Sequence, residues 1–294
     1  MQGSVYQNER RNACARFEAA GIRRLQIIRG RARSRLRLRR PHRFTRRHVR
    51  RLRGRLFGRR TIVLSYKIIQ TSQGGKAMIV FVIAMEKEAK PVLSAMKAER
   101  DIVFCGKRLV TGTLYGKRCG VVVCGVGKAN AAMGAQIAID ELGADVIINL
   151  GVAGGLNRTV DVGKIYGISH AVQYDFDLTQ LNGTAMGTLD ECKENYLPLS
   201  ALPLYPFKRI GTGDRFNDSP DDFKLLTKVL KADIRDMECG AIAQVCMHAK
   251  VKCFAFKIIS DLAGSGSTTE QYLCNLSLCF STLERELEKI ISAL

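Results

Sequence analysis

From residue 78 onward the chain alternates short, unbroken apolar runs with longer segments of helical period. Residues 78–84 carry no polar side chain, the pattern of a strand buried on both faces. They turn directly into a predicted helix, 86–97, with Glu86 and Glu88 in its first turn. Short strands follow at 102–104, 108–114 and 119–124, punctuated by Gly106, Gly112 and Gly116. An alanine-lined helix is expected over 129–142 and a buried strand over 144–150. A strand at 164–172 leads into an irregular stretch, 173–206, rich in Asn, Gly, Thr and Pro, whose length suggests a functional loop. Beyond it the pattern predicts a strand at 207–211 and a helix at 221–230. Asp218 or Ser219 is its cap, and Pro220 holds the first position. A helix at 240–248, a strand at 251–259 and a closing amphipathic helix at 270–294 complete the order. Strands alternating with helices imply a largely parallel sheet covered on both faces.

In such a sheet the carboxyl ends of the strands line the ligand crevice. Four features fall there: Glu88, the run Gly151-Val152-Ala153-Gly154-Gly155, Glu238, and Ser260-Asp261. Glu238 follows a short segment and precedes a helix of small apolar residues, where unpaired backbone N–H groups favour an ionised carboxylate. Such a carboxylate suits the hydroxyls of a diol like ribose, and it equally suits plain helix capping. The glycine runs after residues 124 and 150 lack the dinucleotide and P-loop fingerprints, so close strand–helix packing explains them as well as a phosphate does.

Charge divides the chain. Residues 1–77 hold 23 Lys and Arg against Glu9 and Glu18, whereas residues 78–294 hold 24 bases and 25 acids. The net +20 therefore belongs to the leader, which is expected to be disordered by self-repulsion. A nucleic-acid arm, a transit peptide and a membrane tether all fit its composition. A start codon assigned too early fits it better: Gly74-Gly75-Lys76-Ala77-Met78 back-translates, for some codons, to a ribosome-binding site before ATG. Ten cysteines without a CxxC pair, most of them in apolar runs, read as small buried hydrophobes of a reducing compartment. No stretch reaches the roughly 18 apolar residues that span a bilayer. The expectation is a cytoplasmic protein that does not engage a membrane, and nucleic acid only if the leader is real.

Taken together, Ala84-Met85-Glu86-Lys87-Glu88, Gly125-Val126-Gly127-Lys128, Asn149 to Gly155, Thr212-Gly213-Asp214-Arg215-Phe216, Asp236-Met237-Glu238 and Ile259-Ser260-Asp261 are specific. In this order they resemble the 5′-methylthioadenosine/S-adenosylhomocysteine nucleosidases of the nucleoside phosphorylase family, over residues 78–294. The resemblance implies an α/β three-layer sandwich with a mostly parallel mixed sheet, working as a homodimer in nucleoside catabolism and methionine salvage without cofactor or metal. It implies that Asp261, helped by Ser260, protonates the purine at N7, Glu88 activates water and Glu238 grips the ribose. That division of labour matches the acid and base of inverting glycosidases. Phe216 would stack on adenine, backbone groups of Asn217 would read the base edge, and Ala153 and Gly154 would line the site. Met85, Met237, Val126, Leu178 and Leu181 would take the 5′-alkylthio group.

The chain departs from the family pattern at Val152, where Ser or Thr is common, and at Lys257, where Arg is common; both are expected near the water. The loop after Gln173 lacks a His found in relatives, and Tyr272 is the best candidate for the aromatic over the 5′ group. Two rival readings stay open. A phosphorylase would need forked cations around phosphate, and only Arg158 and Arg215 are expected near the crevice. A non-catalytic nucleoside sensor with a nucleic-acid-binding arm would lose its salt-dependent binding with the leader.

Overall fold

The computed structural model describes residues 77–294. The arginine-rich leader up to residue 76, with every reading given for it, lies outside them. Strand β1 (Ile79–Ile83) turns at Met85 into helix α1 (Glu86–Ala95). An antiparallel meander follows, of β2 (Lys97–Phe104), β3 (Lys107–Leu114) and β4 (Lys117–Val123). Next come α2 (Lys128–Asp140), β5 (Val146–Gly155) and β6 (Ile165–Gln173). The long loop contains only α3 (Thr179–Asn182) and β7 (Leu197–Pro198). The chain ends with β8 (Phe207–Thr212), α4 (Pro220–Lys224, widening into a π turn over Leu225–Val229), β9 (Ile234–Asp236), α5 (Cys239–Ala249), β10 (Lys252–Leu262) and α6 (Thr268–Ser292).

The strand order is β10-β6-β8-β9-β5-β1-β4-β3-β2, and β10 pairs with β5 as well. Strands β4, β1, β5 and β10 run parallel at the centre, with antiparallel pairings towards the margins. Along one edge β5 bonds first to β1 and then to β9, while its other edge bonds to β10 throughout. Strands β5, β10, β6, β8 and β9 thereby close into a ring. The cavity described below opens where β5, β9 and β10 end.

The continuous apolar run of β1 has the cause expected of it. Phe81 and Ile83 face Ala89 and Val92 of α1 and Leu283, Leu287 and Ile290 of α6. Val80 and Val82 face Ala131, Ala135 and Ala138 of α2 and Ile242 of α5. Both faces are dry, and each large side chain so buried contributes about 1.5–3 kcal/mol. Helices on both faces make the three-layer α/β sandwich.

Three elements differ from the sequence pattern. The helix expected to reach residue 97 stops at Ala95, because residues 97–104 pair with β3 as an exposed edge strand. There Arg108 bridges Asp101 and Glu86. Strand β5 continues through Gly155, and β10 through Leu262 with a bulge between Ile259 and Asp261, so two expected loops are strand ends. At α4 the cap is Ser219, whose hydroxyl accepts from the Asp222 N–H at 3.4 Å.

Candidate active site

Two of the three glycines of β5, Gly151 and Gly154, have acidic side chains against them. A Cβ on Gly151 would stand 3.1 Å from Oε1 of Glu88, and one on Gly154 would stand 2.8 Å from Oδ1 of Asp261. The run read as a loop or phosphate cradle is therefore a strand whose bare backbone leaves room for two carboxylates. Among the described residues, each is half satisfied. Glu88 accepts the Val152 N–H on Oε1 at 3.0 Å, and its buried Oε2 has no hydrogen-bond partner. Asp261 accepts the Ser260 hydroxyl on Oδ2 at 2.8 Å, and its buried Oδ1 has none. A buried carboxylate oxygen without a donor is costly, and such atoms are common where a ligand supplies the missing partner.

Glu238 immediately precedes α5 and makes no side-chain capping bond. Capping falls to Asp236, which accepts the Cys239 N–H at 2.9 Å, and to Thr212, whose hydroxyl accepts the Gly240 N–H at 2.8 Å. Glu238 instead crosses to the loop before α2 and accepts the Gly127 N–H at 3.0 Å. Gly127 holds φ at 96°, a left-handed conformation few other residues adopt, and that turns its N–H inward. Asp214 fixes this loop by accepting the Lys128 N–H at 2.7 Å, which ties the turn after β8 to the start of α2.

These groups line one cavity of about 420 Å³, together with Met85, Val126, Val152, Ala153, Gly154, Phe216, Met237, Ser260 and Tyr272. A cavity of this size falls in the range of small-molecule sites. Phe216, 49 % exposed, meets Tyr272 edge-on with ring centres 5.6 Å apart. The Tyr272 hydroxyl lies 3.9 Å from the Met85 sulfur.

Four expected residues stand elsewhere. Leu178 sits at the start of α3 outside the cavity, and Leu181 is 80 % exposed, because the loop folds outward as a single turn. The Asn217 side chain donates to Asp222 at 2.9 Å and is not in the lining. Lys257 is 1 % exposed behind the wall, with its ammonium on Asp236 at 2.8 Å. Its charge still acts on Glu88 and Glu238, favouring their ionised forms.

Sequence reasoning missed Arg235, Thr269 and Leu273 in the lining. Thr269, Tyr272 and Leu273 share one face of α6 at helical spacing, a signal that Tyr272 alone could have exposed. Arg235 had no such signal, since an arginine in a short strand reads as solvated. Of the arginines expected at the crevice, Arg158 is absent from the lining. Arg215 touches only a small adjoining pocket and pairs with Asp222 at 2.7 Å.

Burial dominates the electrostatics. It raises the Asp261 carboxyl above the ordinary aspartate value, against the opposing pull of the Ser260 bond and Arg235. Desolvation likewise raises Glu88, offset in part by the Val152 N–H and Lys257. Glu238 is pushed up to about 7 by burial and then by the Asp236 charge. The ionised Glu238 expected from its position by a helix is thus opposed by desolvation, which outweighs the N-terminal dipole.

The sequence profile of the phosphorylase superfamily matches residues 78–293. The 5′-methylthioadenosine/S-adenosylhomocysteine nucleosidase of Geobacillus thermodenitrificans (strain NG80-2) is 31% identical over 206 residues, covering 65% of this chain and 87% of that protein. The aminodeoxyfutalosine nucleosidase of Campylobacter jejuni is 27% identical over 192 residues, 62% of this chain and 84% of that protein. Among solved structures, the 5′-methylthioadenosine/S-adenosylhomocysteine nucleosidase from Neisseria meningitidis, in complex with methylthio-immucillin-A, aligns with a TM-score of 0.67. Its identity is 24%, and the alignment covers 74% of this chain and 99% of that one. With the superfamily profile matched over residues 78–293 and a nucleosidase relative 31% identical and covered over 87% of its length, this chain belongs to the phosphorylase superfamily, among its 5′-methylthioadenosine/S-adenosylhomocysteine nucleosidases.

Proposed function

We propose that this cavity hydrolyses the N-glycosidic bond of 5′-methylthioadenosine and S-adenosylhomocysteine, releasing the base and the thioribose. The observation that carries the reading is the pair Glu88 and Asp261. Two buried carboxyls from α1 and β10 each keep one oxygen fixed and one unpartnered in the same cavity. Departure of a purine leaves an oxocarbenium-like sugar, which calls for an acid at the base and a carboxylate at the incoming water. Asp261, raised by burial, is drawn towards its neutral form and delivers its proton to N7. Glu88, raised by burial but drawn down by the Val152 N–H and Lys257, takes the proton of water. Both border the one cavity of about 420 Å³, a volume in the range of small-molecule sites. Glu238 binds the ribose hydroxyls, Phe216 covers the base, and Met85, Met237 and Val126 receive the alkylthio group.

Phosphorolysis is the poorer reading. Phosphate would approach from the Glu88 side, where the nearest cation, Lys257, is committed to Asp236. Assay of base release from methylthioadenosine in phosphate-free buffer tests the proposal. Turnover there, unchanged by added phosphate and yielding free methylthioribose, supports hydrolysis; turnover that requires phosphate overturns it. A homodimer is part of the same reading: Leu273 lines the cavity yet is 62 % exposed, so its outer side awaits cover. Sedimentation of the protein as a monomer at micromolar concentration would remove that part.

A further inference from the structure

We propose that Arg235 fits the base end of this cavity to 6-oxopurines, so that the chain cleaves hypoxanthine- or guanine-bearing 5′-thionucleosides at least as well as adenine ones. The inference rests on the nucleosidase reading and adds the class of base. Arg235 is 8 % exposed, and its Nη2 has no hydrogen-bond partner among the described residues. Nothing that has been assigned to catalysis uses this guanidinium.

Its position is at the base end. A small pocket shares Gly154, Phe216, Arg235, Asp236, Met237 and Asp261 with the cavity and adds only Arg215, which pairs with Asp222, while Asp236 is engaged by Lys257. Glu88, Glu238 and Tyr272 do not reach it. Arg235 therefore borders both spaces with the proton donor and the stacking ring, whereas Glu88 and Glu238 border only the larger one. Gly154 sharpens the placement: a Cβ there would lie 2.8 Å from Asp261 Oδ1 and 3.2 Å from Arg235 Nε, so both side chains border the space over one glycine. An ion pair with Asp261 would give Arg235 a purely structural role, but no hydrogen bond joins them. Burial moreover holds Asp261 towards its neutral form.

Chemistry then selects the ligand. A guanidinium only donates hydrogen bonds. Adenine presents N7 as an acceptor and its 6-amino group as a donor, whereas a 6-oxopurine presents two acceptors, N7 and O6. With N7 taking the Asp261 proton, Arg235 meets O6 with a charge-assisted bond, but it meets an amino group donor to donor. A buried donor left unpaired by adenine discriminates further, since the site carries its desolvation cost.

Comparing 5′-deoxy-5′-methylthioinosine with methylthioadenosine, on the full protein and on R235M, tests this. The wild-type protein should show kcat/KM for the inosine analogue equal to or above that for the adenosine analogue. R235M should lower the ratio of the inosine value to the adenosine value about tenfold or more, whatever common change it makes to both through Asp261. Strong wild-type preference for the adenosine analogue, with a ratio unmoved in R235M, overturns the proposal and leaves the nucleosidase reading standing. Cleavage of neither compound overturns both. If R235M does not fold, competition of free hypoxanthine against free adenine for the wild-type protein decides: tighter adenine binding overturns the proposal, and tighter hypoxanthine binding supports it.

Discussion

The ends of β9 and β10 each bury an aspartate at the wall of the same cavity, and the two are chemically opposite. Asp236 is saturated: it takes the Thr212 hydroxyl at 2.6 Å, the Cys239 N–H at 2.9 Å and the Lys257 ammonium at 2.8 Å. Asp261 has the Ser260 hydroxyl and one oxygen left over. Equal burial therefore does not mean equal work. A carboxylate with both oxygens engaged holds the structure, and one with an open oxygen is available to a substrate. The same contrast separates the saturated capping role of Asp236 from Glu238, which touches only Gly127 and is free to meet a sugar.

The largest effect expected is on turnover. D261N removes the proton donor without unpacking the wall, so kcat for methylthioadenosine should fall about 1,000-fold while the melting temperature stays nearly constant. The converse holds for D236N. It leaves the Lys257 ammonium buried with a weakened partner and should cost about 3 kcal/mol or more in denaturant unfolding. If the two variants exchanged phenotypes, the distinction would collapse.

A pH series sharpens it further. Glu238 has a folded value near 7, above its unfolded one, so its contribution to stability is full below about pH 4.3. That contribution is lost as pH rises through about 7, so the unliganded protein should weaken across this interval. E238Q should flatten the loss, which thermal melts across pH would reveal. The smallest effect belongs to Ser260. Its hydrogen bond favours ionised Asp261, so S260A should raise the Asp261 value and move the alkaline limb of kcat/KM to higher pH. The accompanying stability change is on the order of 1 kcal/mol.

How much of this was legible in the chain follows from what each residue does. The strand at residues 78–84 was plain because both of its faces are apolar and both are covered. Glu88, Glu238 and Asp261 were legible because carboxylates at strand ends are unusual in apolar surroundings. The extension of β5 was not: glycine signals a turn, and only the fold reveals that Gly151 and Gly154 are bare so that Glu88 and Asp261 can approach. Residues 97–101 favour a helix by propensity, and pairing with β3 overrides it. Lys257 was placed at the water by the family resemblance, yet Asp236 holds its ammonium. Arg235 stayed hidden because burial of an arginine cannot be read from its neighbours Ile234 and Asp236.

The central claim is that Asp261 and Glu88 do different work on opposite sides of one sugar. The direct measurement replaces the purine by a leaving group that needs no proton, such as p-nitrophenolate on 5-methylthioribose, and compares D261N with E88Q. The account predicts that D261N recovers to within about tenfold of the wild-type rate while E88Q remains about 100-fold down. Equal deficits in both variants on this substrate would contradict it.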